Sequence, residues 1–123
     1  MFIALSPSNP DPMYKQVTDQ IKNAIASGDL KAGDKLPSIR ELTDALKTSA
    51  ITIKRAYLDL ESDGFIITRA GLGSFVADID RDRLKEEKLA EFRTALKGIL
   101  ATGSKFGIGA GEVARLIREI EEE

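Results

Sequence analysis

The chain has 123 residues, enough for one domain, or for a small domain with an appendage. Apolar residues make up 42% and charged residues 31%, the balance of a folded chain with a solvated surface. There is no Cys and no His, which excludes disulfides, zinc fingers, Cys nucleophiles, Ser-His-Asp triads and His-based metal sites; the formal net charge of −2, taken alone, argues against a nucleic acid partner.

Pro7, Pro10 and Pro12, with Ser8, Asn9 and Asp11, mark an extended lead-in. Met1 to Pro12 lacks the basic-then-apolar pattern of a secretory leader, and no run reaches the roughly 18 apolar residues that cross a bilayer. A cytoplasmic location and no membrane partner are therefore expected. Asp11 can cap a first helix, and Pro12 suits its first turn. Met13, Val17, Ile21, Ala24 and Ile25 recur at helical period until Gly28, predicting a helix over about 12–27.

Residues 29–37 hold Gly33 and Pro37 and read as a connection. Ser38 followed by Glu41 forms a capping box, in which each side chain satisfies the other residue's exposed amide. Ile39, Leu42 and Leu46 then predict a short helix over about 38–46. Lys47 and Thr48 make a tight corner, and Ser49 is the N-cap of a third helix, about 49–63, whose buried stripe is Ile53, Ala56, Tyr57 and Leu60. Gly64 closes it. Phe65 to Arg69 and Ser74 to Ala77 are β-prone runs around Ala70-Gly71-Leu72-Gly73 and predict a hairpin. This order of elements defines a winged helix-turn-helix.

Beyond Asp78 a long helix is expected over about 80–101, with an apolar stripe of Leu89, Phe92, Leu96 and Ile99 flanked by Leu84 and Leu100. Thr102 to Gly111 contains four glycines and reads as a flexible break. A final helix over about 111–122 carries Val113, Leu116, Ile117 and Ile120. The predicted fold is mainly α with a small β-hairpin wing. It comprises a winged helix-turn-helix domain over 1–78 and two C-terminal helices over 79–123.

Charge becomes informative when it is divided along the chain. Lys31 to Leu58 holds six basic residues (Lys31, Lys35, Arg40, Lys47, Lys54 and Arg55) against Asp34, Glu41 and Asp44, a local balance of +3. Opposite its core stripe, the third helix presents Ala50, Ile51, Thr52, Lys54 and Arg55, with no acid before Asp59. Cations reach phosphate or guanine, a Thr hydroxyl reaches several base edges, and Ala or Ile can touch a thymine methyl. A solvated amphipathic helix gives a similar pattern. Arg69 precedes the hairpin turn, where Gly71 and Gly73 let a backbone lie close to a groove wall or simply supply turn geometry. Gly-Leu-Gly-Ser lacks the Lys and the following helix of a phosphate-binding loop. Asp78, Asp80 and Asp82 lack the Gly and bidentate Glu of a calcium loop and read as linker and helix-start acids.

Pro12 to Val17, Ala26 to Leu42, Thr52 to Ile66 and Thr68 to Val76 together resemble the GntR family of bacterial transcriptional regulators. Arg55-Ala56-Tyr57 and the short two-helix tail resemble its YtrA subfamily. The resemblance implies a sequence-specific regulator, repressing by default, that binds a palindromic duplex operator as a homodimer. Carried over residue by residue, it makes Arg40 a DNA contact at the start of the second helix. Ser38 becomes the helix cap that meets phosphate. Ser49, Thr52 and Lys54 become recognition-helix positions, and Gly71 the wing tip. The chain departs from its relatives at Ala50, where they carry Arg or Pro, and at Ile51, where Thr or Asn is common. A guanine-reading Arg is therefore missing there.

The candidate DNA-binding set is Ser38, Arg40, Ser49, Ala50, Ile51, Thr52, Lys54, Arg55, Arg69 and Gly71. Two helices joined by a Gly-rich loop have too little core to stand alone. Leu84, Leu89, Phe92, Leu96, Ile99, Val113, Leu116, Ile117 and Ile120 are therefore the candidate homodimer interface. A small-molecule effector between protomers stays open. No catalytic residue, cofactor or metal is assigned. The alternative reading is a winged-helix protein-interaction module without DNA binding.

Overall fold

The computed structural model describes residues 3–123, so Met1 and Phe2 of the lead-in lie outside it. The element order is α1 (Met13–Ser27), α2 (Ile39–Leu46), α3 (Ala50–Ser62), β1 (Ile66–Arg69), β2 (Gly73–Val76), α4 (Arg81–Ser104) and α5 (Ala110–Glu121). The chain divides into two compact units, Met1–Arg81 and Asp82–Glu123.

In the first unit the predicted stripes converge on one core. Val17, Ile21 and Ile25 of α1 are buried with Leu42 of α2 and with Ile53, Ala56, Tyr57 and Leu60 of α3. Ile3, Leu30, Leu36, Phe65, Ile66, Val76 and Ala77 complete it. The two ends of α2 explain its short length. Ser38 Oγ accepts from the Glu41 amide at 3.0 Å and the Ser38 amide donates to Glu41 Oε1 at 3.4 Å, while Lys47 ends the helix in the left-handed region at φ 52°. Ser49 caps α3 by accepting the Thr52 amide at 3.1 Å. The Tyr57 hydroxyl donates to the Pro37 carbonyl at 2.6 Å, so a core residue of α3 also holds the strand of chain entering α2. That bond satisfies the one polar atom of a largely buried ring.

Strands β1 and β2 pair antiparallel, with Ile66 opposite Val76 and Arg69 opposite Gly73. The connection predicted over 29–37 contributes more than a link. Gly33 donates to Val76 O at 2.8 Å, Val76 to Asp34 O at 2.8 Å and Leu36 to Ser74 O at 2.9 Å, and Lys35 forms a bridge with Phe75. The outer edge of β2 is thus paired, which ties the wing to the segment that enters α2.

Two local expectations are corrected. The N-cap of α1 is Pro12, and no side chain caps it; the Pro12 carbonyl accepts the Lys15 and Gln16 amides at 3.0 and 3.1 Å, whereas the Asp11 carboxylate lies 3.6 Å from Lys15. The lead-in is instead held by two glutamines one turn apart. Gln16 exchanges bonds with the backbone of Ser6 and also donates to the Asp11 carbonyl, and Gln20 exchanges bonds with the backbone of Ala4.

The break expected over 102–111 is shorter, because α4 runs on to Ser104. Its end is a Schellman motif: Ile108 donates to Gly103 O at 2.9 Å and Gly107 to Ser104 O at 3.3 Å, with Gly107 at φ 73°. Gly103 is helical, and a Cβ there would come within 3.1 Å of the Ile108 carbonyl. Neither α4 nor α5 buries a residue in the single chain. Leu89, Phe92, Leu96, Ile99, Leu116, Ile117 and Ile120 are all exposed, and Leu84 and Val113 are half-buried. No helix among the described residues is long and apolar enough to cross a membrane.

Candidate nucleic-acid interface

Two kinds of cation lie on the first unit. On α1, Lys15 sits 2.7 Å from Asp19 and 3.6 Å from Asp11, and Lys22 sits 3.1 Å from Asp63. The hydrogen-bonded charge of Asp19, with Asp11 adding, holds the Lys15 ammonium above its usual range. Along the charged segment the situation is the reverse. Lys31, Lys35, Arg40, Lys47 and Lys54 are all exposed, and none of their side-chain cations has a carboxylate or hydrogen-bond partner among the described residues. The +3 balance is therefore carried by cations that no acid of the fold neutralises.

Helix α3 positions the remaining groups. With Ile53, Ala56, Tyr57 and Leu60 facing the core, helical geometry puts Ile51, Arg55 and Leu58 farthest from it, with Lys54 beside them. Ala50 is exposed and Ile51 is 81% exposed, while Thr52 is half-buried and shares its hydroxyl with Ser49 at 2.8 Å. Ser38 and Ser49 both have structural work as caps, and both remain exposed.

Arg55, predicted among the groove-facing cations, is engaged within the fold. Its guanidinium carbon stands 3.8 Å from the centroid of the Tyr14 ring, a cation–π contact that joins α3 to α1. Arg69 ends β1 with its guanidinium 5.9 Å from the Phe75 ring. Gly71 lies at the wing tip, where an added Cβ would meet nothing.

Two features of this surface, the seat of Lys35 and the projection of Leu72, were not legible in the sequence. Lys35 packs under the wing, its side chain 3.1 Å from where a Cβ on Gly73 would be. Leu72 projects from the wing turn at 62% exposure. Lys47 takes the positive φ between α2 and α3, at the tight corner expected of Lys47 and Thr48. On the second unit, Phe106 was also missed; it is exposed in the connection between α4 and α5, an aromatic residue in an otherwise Gly-rich segment.

Two capped helices joined by a tight turn, a two-stranded wing and a set of exposed, unpaired cations along residues 31–54 define the winged helix-turn-helix class, the class of many transcription regulators. The comparisons with known proteins specify the class further. Residues 13–76 match the family described as bacterial regulatory proteins, gntR family, and the chain belongs to that family. It is 31% identical over 118 residues to the HTH-type transcriptional repressor YtrA of Bacillus subtilis, covering 96% of this chain and 91% of that one. A GntR family transcriptional regulator from Listeria monocytogenes superposes with a TM-score of 0.75 at 30% identity, covering 94% of this chain and 98% of that one. The DNA-binding domain of AraR, solved in complex with operator ORX1, superposes with a TM-score of 0.54 at 33% identity, covering 63% of this chain and 93% of that domain.

Proposed function

We propose that the protein is a cytoplasmic repressor that occupies a palindromic operator as a homodimer. Helix α3 lies in the major groove of each half-site and the Gly71 wing in the adjoining minor groove. The observation that carries this reading is the set of five exposed, unpaired cations, Lys31, Lys35, Arg40, Lys47 and Lys54, in the segment that includes α2 and the first half of α3, in a protein whose other lysines on the same unit are matched by acids. Unpaired surface cations gain most from releasing the counterions of a duplex. The apolar faces of α4 and α5 join the two copies. An effector taken up between protomers would act by changing the spacing of the two α3 helices.

A gel shift with duplex from upstream of the gene's own operon tests the reading, titrated over salt. Wild type forms a discrete complex. Arg40→Ala binds more weakly, with a salt slope shallower by about one unit if Arg40 meets a phosphate. An unchanged affinity and slope remove Arg40 from the contact set. The second reading, a protein-docking winged helix, is favoured by the exposed Ile51 and Leu58 on α3. It predicts no complex with any duplex.

A further inference from the structure

Ile51 is the most exposed large hydrophobic residue described, at 81%, and it stands in the first turn of α3 on the side away from the core. Nothing in the fold rewards it there. It buries little surface, and a β-branched residue is a mediocre helix former. The polar groups around it are committed or lie elsewhere. Ser49 Oγ accepts the Thr52 amide and is bonded to the Thr52 hydroxyl. Arg55 is stacked on Tyr14. Ala50, exposed next to Ile51, adds only a methyl. The outward surface of this turn is therefore hydrocarbon, bordered one turn later by the unpaired Lys54.

The residues at the start of a recognition helix are those that meet base edges. A sec-butyl group has no donor for guanine O6 and N7 and cannot pair with the adenine amide edge. What it complements in the major groove is the C5-methyl of thymine. We infer that Ile51 is a specificity-determining residue that selects a thymine in each half-site by contact with that methyl, with Lys54 holding the neighbouring backbone. This inference rests on the DNA-binding reading above. The cation beside Ile51 favours a polyanion over an apolar protein partner as the occupant of this surface.

The test is a selection from a random duplex library with the full chain. The winning duplex is then resynthesised with uracil replacing each thymine in turn, which removes one methyl and leaves pairing intact. One thymine per half-site is expected to show a loss of roughly fourfold on demethylation, the equivalent of one methyl's burial. Ile51→Ala and Ile51→Asn, at an exposed position that leaves folding unchanged, should bind the thymine and uracil duplexes equally. Uracil substitutions that are all silent overturn the inference while leaving DNA binding intact. A methyl effect that persists in both variants does the same. A library that yields no enriched sequence overturns the DNA-binding reading itself and this inference with it.

Discussion

At the scale of single residues, Tyr57 shows how one side chain serves both packing and geometry. Its ring is part of the core and its hydroxyl holds the Pro37 carbonyl, which sets the entry into α2 relative to α3. Burial, with the Glu41 carboxylate adding to it, pushes the phenol well above its ordinary value of 10.0. The folded state therefore disfavours ionisation that the unfolded chain undergoes freely. With the folded pKa raised, the stabilisation is complete below pH 10 and declines as pH rises beyond it. Tyr57→Phe should lose about 1 kcal/mol at neutral pH, because the Pro37 carbonyl loses its donor. Its stability should then fall less steeply than that of wild type above pH 10. Urea melts at neutral pH and through the alkaline range check both halves. Parallel curves for the two proteins would mean that Tyr57 is not the group responsible. The same contact shows where single-residue reading from sequence stops: Tyr57 was legible as a core position, but its acceptor, twenty residues earlier, was not.

At the scale of elements, local chemistry made most of the helices legible. The Ser38–Glu41 box, the Ser49 cap and Gly64 all lie within a few residues of the ends they mark, and each has the predicted role. Illegible features depended on distant chain. The pairing of residues 33–36 with β2 joins segments forty residues apart, and no periodicity in a stretch holding Gly33 and Pro37 announces it. The glutamine tethers of the lead-in depend on where Ala4 and Ser6 run. The end of α4 was misread because Gly103 looks like a breaker when its neighbours are ignored; the stop is Gly107, four residues on. Gly64 allows a clean measurement of what such a stop is worth. It takes φ 81°, Phe65 donates to Leu60 O at 2.8 Å across it, and an added Cβ would meet nothing. The cost of Gly64→Ala is thus backbone strain alone, about 1 kcal/mol. Gly64→Asn should recover part of it, since Asn tolerates the left-handed region. Thermal melts of the two variants test this, and an Ala variant as stable as wild type would show that the end of α3 is not held in that conformation.

At the scale of the whole molecule, the second unit poses an energetic problem. Helices α4 and α5 bury no residue in the single chain, yet α4 presents Leu89, Phe92, Leu96 and Ile99 at a 3-4-3 spacing, and α5 presents Leu116, Ile117 and Ile120. Two isolated helices are marginal in water, and each large apolar side chain left exposed forgoes roughly 1.5–3 kcal/mol. The second copy of the chain proposed above would resolve this with the same surface on both sides, as two-fold interfaces do. It would also bring two α3 helices onto one duplex, so modest contacts per half-site combine into tight binding. On that proposal the weak overall charge gives the combination its value, because a protein at −2 has little general attraction for DNA. Phe92 lies in the middle of the α4 stripe and is 60% exposed in the single chain, so a charge there should leave each chain folded and separate the pair. Phe92→Asp should sediment as a monomer with the circular dichroism of the winged domain retained. Operator affinity should fall roughly a hundredfold or more, the factor that linking two sites supplies. A Phe92→Asp protein that remains dimeric and binds its operator undiminished would place the interface elsewhere, and the exposed stripes of α4 and α5 would then need a different partner.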